Sequence, residues 1–171
     1  MDVLLPAIAL DVGVARIGLA VSDLSGRFAF GRGFIKRQKL PLDIAALQQL
    51  MQQEQAKIVV VGLPLRTDGG YSGQTQRVRA FAKDLERAGL VVVLQDERFT
   101  TRLASSQLLV TSSKRDRLEK GLTDTQSAVL ILQTFLEKRR AELERSEATE
   151  PERSEATELE RSEANQFEDE A

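Results

Sequence analysis

The sequence predicts an α/β protein: a mixed five-stranded sheet with helices on both faces. Three observations carry that expectation. Two short apolar runs near the start, AIALDVG and IGLAVSD, read as strands joined by a tight turn. Two later runs, KIVVVGLP and LVVVLQDE, are apolar almost without interruption, the pattern of strands covered on both sides. The segments between and after them place apolar residues at helical spacing, so strand and helix patterns alternate.

In chain order, FAFGRGFIKR is a third strand that completes a meander with the first two. DIAALQQLMQQEQ is a helix with Ile44, Leu47, Leu50 and Met51 on one face. KIVVVGLP is a strand, and LPLRTDGGYSGQ a glycine-rich loop. QRVRAFAKDLERAG is a helix with Val78, Phe81, Ala82 and Leu85 inward, stopped at Gly89. LVVVLQDE is another buried strand, and TTRLASSQLLV a helix behind a threonine cap. TSSKRDRLEKGL is a polar, basic connection, and TDTQSAVLILQTFLEKRR a strong final helix. In such sheets, functional groups collect at the carboxyl ends of the central strands.

Composition excludes several chemistries. The 171 residues contain no His and no Cys, so a Ser-His-Asp triad, a thiol nucleophile, a disulfide framework and an ordinary zinc site are all ruled out. Any metal must sit on oxygen ligands, which favours hard cations such as Mg²⁺ or Mn²⁺. No apolar run approaches the roughly 18 residues of a membrane span. The start reads as a strand and not as a signal peptide, and with no cysteine in the chain we expect the protein in the cytoplasm.

The formal net charge of −2 hides a division. Residues 141–171 hold 3 Arg against 12 Asp and Glu, net −9, which leaves residues 1–140 at net +7. A basic body points to a polyanionic partner. The tail repeats with a period of eight (ERSEATEP, ERSEATEL, ERSEANQF), too poor in apolar residues to offset the entropy of ordering it. We therefore expect one domain over residues 1–140. Residues 141–171 should be a disordered tail or a frayed helix, a solubilising appendage and not a regulatory one.

Three acids stand out. Asp11 lies inside the first strand between Leu10 and Val12, where a carboxylate is costly unless paired or bound to a metal. Glu97 ends the strand LVVVLQDE. Asp124 opens the final helix, where Thr123 and Gln126 have capping-box spacing. It shares a face with Ala128 and Ile131, so it points toward the sheet. An acid at a helix start is usually a favourable partner for the helix dipole, and one at a strand end is usually solvated. Asp11 is the hardest to explain in those terms. Asp96 alternates to the opposite side of its strand and ranks behind Glu97. Together the three suit metal-dependent phosphodiester hydrolysis, in which two cations about 3.5–4 Å apart activate a water and stabilise the leaving oxygen.

DVGVARIG admits two readings, a glycine cradle for a phosphate or a plain hairpin turn. GLPLRTDGGYSG is either an ordinary loop or a flap over a substrate backbone. Arg16, Arg66, Lys114, Arg115 and Arg117 fall near these segments as candidate nucleic-acid contacts.

LDVGVARIGLAVSD, VVVGLPLRTDG, DERFTT and TDTQSAVLILQTFL, in that order, resemble the motifs of the YqgF family, also called RuvX. The resemblance covers nearly all of residues 7–138. Members of that family resemble the Holliday junction resolvase RuvC and are described as candidate nucleases of the precursor of 16S ribosomal RNA. The resemblance implies an RNase H-like fold, with the family's catalytic acids falling on Asp11, Glu97 and Asp124. Arg16, Gly62, Pro64 and Thr101 also fall on motif positions and would shape the cleft. Val14 and Ala15 depart from the polar turn that is common in the family. The implied partner is structured RNA or branched DNA, bound by a monomer or a homodimer. Two rival readings are a non-catalytic nucleic-acid-binding scaffold, which typically lacks the full acidic set, and a sugar kinase or actin-like ATPase. The latter needs two such domains, which 171 residues cannot supply.

Overall fold

The structure is a computed structural model and describes residues 5–65, 70–97 and 124–146. Five strands, β1 (Ala7–Val12), β2 (Arg16–Ser22), β3 (Ala29–Lys36), β4 (Ile58–Leu63) and β5 (Val92–Asp96), form one sheet in the order β3-β2-β1-β4-β5. The meander β1-β2-β3 is antiparallel, whereas β4 and β5 run parallel to β1. The mixed sheet expected from the sequence is the one that forms. The apolar runs AIAL and IVVV occupy its centre, buried on both faces.

Strand alternation sends side chains to two separate cores. Ile8, Leu10 and Val12 join Val59, Val61, Leu47, Val78, Phe81 and Leu85 beneath α1 (Leu40–Gln53) and α2 (Gly73–Arg87). Ala7, Ala9, Ala20, Ile58 and Val60 face Ala128, Ile131, Leu132, Phe135 and Leu136 of a helix that begins by residue 124. Three alanines on that second face let the helix lie close to the sheet. Each fully buried Val, Leu, Ile or Phe contributes about 1.5–3 kcal/mol, so the two cores carry most of the fold.

Both internal helices start about a turn earlier than the apolar pattern suggests. α1 begins at Leu40, and Pro41 stands in its first turn, where a missing N–H leaves no bond unmade. Asp43, in that turn, is fully buried and accepts from Arg37 Nε (2.9 Å) and from the backbone N–H of Gln38 (2.9 Å). α2 begins at Gly73 because Ser72 and Thr75 form a reciprocal capping box. Thr75 also donates to the carbonyl of Pro64, tying the start of the loop after β4 to the helix. Gly89 follows α2 at a φ of +86°, as expected for its stop.

β5 departs from expectation. Read as a strand buried on both sides, it is the sheet edge, with Leu94 41% exposed and Val92 and Val93 only partly buried. An edge strand has a sheet neighbour on one side alone, so an apolar run there packs incompletely.

The predicted helix at residues 101–110, the basic connection after it and the repeats beyond residue 146 lie outside the described residues. The chain divides into two compact units, Met1–Leu136 and Glu137–Ala171. Within the second, residues 137–146 are helical and carry the i,i+4 pairs Lys138–Glu142 and Arg140–Glu144, each at 4.0 Å. No helix among the described residues is long and apolar enough to cross a membrane.

Candidate active site

Asp11 is the penultimate residue of β1, paired with Gly18 of β2. It alternates with Ala7 and Ala9 and therefore faces the helix that begins by residue 124. Gly18 sets how near that helix comes. A Cβ at this position would overlap the backbone carbonyl of Asp124, so only glycine lets the helix start sit against β2. Asp124 is thereby brought beside Asp11, and Ser127, one turn further on, hydrogen-bonds the Asp11 carboxylate.

Glu97 directly follows β5, whose Gln95 pairs with Gly62 of β4. It shares its parity with Val93, which packs under the same helix. A Cβ on Gly62 would strike Glu97 Oε1 and Ile131 Cδ1, so the missing side chain provides the space the carboxylate occupies. Gly62 is the motif glycine noted in the sequence, and its role is steric.

The electrostatics join the three acids in sequence. Burial raises the pKa of Asp11, the Ser127 hydrogen bond lowers it, and the Asp124 charge raises it again. Burial pushes Glu97 up to about 7, with further increments from the negative charges of Asp11 and then Asp96. Asp11 thus interacts with both other acids, at the carboxyl end of the central strand. As placed, no group of three acids among the described residues stands close enough to hold a metal ion. The three acids interact pairwise, through Asp11.

Asp11 differs from the fully buried Asp43, which has an arginine partner. Among the described residues, no basic side chain forms an ion pair with Asp11. Arg16 stands beside Asp124: its Nη1 lies 4.0 Å from Asp124 Oδ2, and its guanidinium stands 4.7 Å over the ring of Phe34. The DVGVARIG segment is a hairpin turn, closed by Gly13 N donating to Arg16 O at 2.9 Å. Arg66, Thr101, Lys114, Arg115 and Arg117 lie outside the described residues. Sequence reasoning missed Ser127 and Phe34. Ser127 was accessible in principle, three residues beyond Asp124 on the same helix face, whereas nothing in the strand pattern marks Phe34.

The RuvX family model, described as a Holliday junction resolvase, matches residues 6–138. A Thermus thermophilus protein named as a candidate pre-16S rRNA nuclease is 44% identical over 128 residues, covering 75% of this chain and 94% of its own length. One from a Synechococcus strain, named likewise, is 43% identical over 140 residues, covering 81% and 82% respectively. Ribonuclease YqgF of Deinococcus radiodurans is 52% identical over 97 residues, covering 57% and 70%. Among solved structures, Thermus thermophilus RuvC in complex with a Holliday junction substrate superposes with a TM-score of 0.53 at 14% identity, over 79% of this chain and 95% of that one. That likeness is one of fold.

Proposed function

The chain belongs to the RuvX family, and from that premise we propose that it is a divalent-metal-dependent nuclease with Asp11, Glu97 and Asp124 as its catalytic and metal-binding acids. The observation that carries the proposal is the coupling of Asp11 to both other carboxylates at the carboxyl end of the sheet.

The donor chemistry fits a hard cation. Asp11 and Glu97 have their charged forms disfavoured by burial and by neighbouring negative charge. A positive ion relieves both effects, and an all-oxygen donor set suits Mg²⁺ or Mn²⁺. When bound, the cation supplies Lewis-acid stabilisation of the phosphate charge and lowers the pKa of water at the site. The protein's own part is positional. β1 fixes Asp11, and the Ser127 hydrogen bond orients its carboxylate. The Gly18 contact sets the distance of Asp124, and the Gly62 gap admits Glu97. Arg16 stands beside Asp124 as a phosphate contact. A chain without His has no imidazole base, so proton acceptance falls to these carboxylates.

The names of the relatives favour precursor 16S ribosomal RNA as substrate, and we place the cleavage at its 5′ end, in the cytoplasm. The family description supplies the second reading, cleavage of four-way DNA junctions, for which two sites in a homodimer would be needed. The deciding experiment is cleavage of matched precursor RNA, single-stranded DNA and junction substrates with Mg²⁺ and with Mn²⁺. Cleavage that Asp11→Asn removes supports the nuclease proposal. Binding without cleavage under every condition would favour the non-catalytic scaffold.

A further inference from the structure

β3 is an edge strand whose sequence, AFGRGFIK, shows no clean alternation. The pairing with β2 explains why. Val21 pairs with Phe30 and Ala20 with Gly31, but Gly18 pairs with Phe34. Leu19 of β2 is therefore opposed by two residues of β3, Arg32 and Gly33, a bulge in which Gly33 has a φ of +76°. One extra residue reverses the faces of a strand. Entering the bulge, Arg32 points toward the end of α1 and bonds Glu54 at 2.8 Å. After it, Phe34 and Lys36 share a face with Gly18 and Arg16, which is also the face of Asp11.

Phe34 is 45% exposed there. A lone exposed phenylalanine is unremarkable, but this one is held in a defined setting. The Arg16 guanidinium lies 4.7 Å from its ring centroid and reaches Asp124 at 4.0 Å. The bulge is fastened to the start of the same helix, since Thr125 Oγ1 donates to Gly33 O at 2.9 Å. The ring is thus placed relative to the acids by two separate contacts, one polar and one cation–π.

We propose that Phe34 is a stacking platform for an unpaired nucleobase next to the scissile phosphate, so that the site takes single-stranded nucleic acid. The proposal rests on the nuclease reading for its location but not for its test. Arg16 orders the ring and faces the phosphate that follows the stacked base, while Lys36 adds positive charge on the same face. A base inside a duplex offers only its edges, whereas an unpaired base can lay its face on an aromatic ring.

The test uses the full chain carrying Asp11→Asn, so that bound substrate stays intact, with fluorescence anisotropy on a labelled single-stranded RNA and a matched duplex. Phe34→Ala should weaken single-strand binding by about ten-fold or more and leave duplex binding unchanged. Phe34→Leu, which keeps an apolar side chain but no π face, should show the same loss, and Phe34→Trp should restore binding. A melting curve for each variant identifies misfolding, and Phe34→Leu serves if Phe34→Ala fails to fold. Equal single-strand affinities for the parent and Phe34→Leu overturn the platform. So does an equal loss on duplex, or a parent that does not bind single strands. Selective single-strand binding that depends on the ring, in a protein whose native sequence cuts nothing, would support the platform while refuting the nuclease.

Discussion

Asp11 and Glu97 are held in a state that water would not choose. Glu97 has a carboxyl pKa of about 7 against an ordinary 4.5, so its neutral form suits the fold and its charged form does not. The stability this contributes is fully present below about pH 4.5 and is lost as pH rises through about 7. Glu97→Gln keeps the shape and removes the ionisation. Its melting temperature should exceed the parent's by a few degrees at pH 8, at roughly 2–4 °C per kcal/mol, and match it at pH 4. An identical offset at both pH values would contradict the assignment. The same substitution should cut cleavage by about 10²-fold or more, as should Asp11→Asn and Asp124→Asn. Combining any two should cost little beyond the worst single change, because the groups act as one unit. Steady-state rates on a labelled RNA check both statements, and a fully active Asp11→Asn protein would remove the assignment.

At the scale of elements, glycines determine where the acids meet. Gly18 admits the start of the final helix, and Gly62 admits the Glu97 carboxylate. The neighbour at Gly18 is backbone and cannot step aside. Gly18→Ala should therefore push the helix off β2, costing about 1–3 kcal/mol and most of the activity. The atoms facing Gly62 are side-chain ends, so Gly62→Ala should spare stability more than activity, because Glu97 can swing out of place. Gly73, in the first turn of α2, has an ordinary φ, and a Cβ there would meet only the end of the Arg77 side chain, at 4.0 Å. Gly73→Ala should leave activity unchanged and stability equal or slightly raised. Chemical denaturation run beside the cleavage assay separates the three; equal behaviour of Gly18→Ala and Gly73→Ala would refute the packing account.

For the whole molecule, the absence of His and Cys makes the proposed chemistry depend on a cation. Excess chelator should abolish cleavage, and Mg²⁺ or Mn²⁺ should restore it. Ca²⁺ should support little turnover, since its looser coordination positions water poorly. Undiminished cutting in excess EDTA would refute the metal proposal. Substrate choice should appear in assembly. Two symmetric nicks in a junction call for two sites about a two-fold axis, whereas trimming one RNA strand needs one. Light scattering with and without junction DNA tests this, and paired nicks by a strict monomer would contradict it.

The local pattern of the chain determined the five strands in chain order, the inward residues of both internal helices and the singular place of Asp11. Each follows from periodicity, or from the cost of an acid inside an apolar strand, and both are written in neighbouring residues; Glu97 and Asp124 stand out only beside the family motifs. Helix starts were less legible, because the Ser72–Thr75 box and the first-turn Pro41 carry no apolar signal. Tertiary structure alone decided what required distant segments to meet. Gly18 read as an ordinary strand glycine until the backbone of Asp124 lay against it, and Ser127 as one more polar helix residue until Asp11 faced it. Phe34 reached the acidic face through a one-residue bulge that only pairing with β2 reveals. β5 proved to be an edge because burial depends on neighbours that an apolar run does not name. Periodicity records what a residue repeats along the chain, whereas close approach and facing direction depend on which other element arrives there.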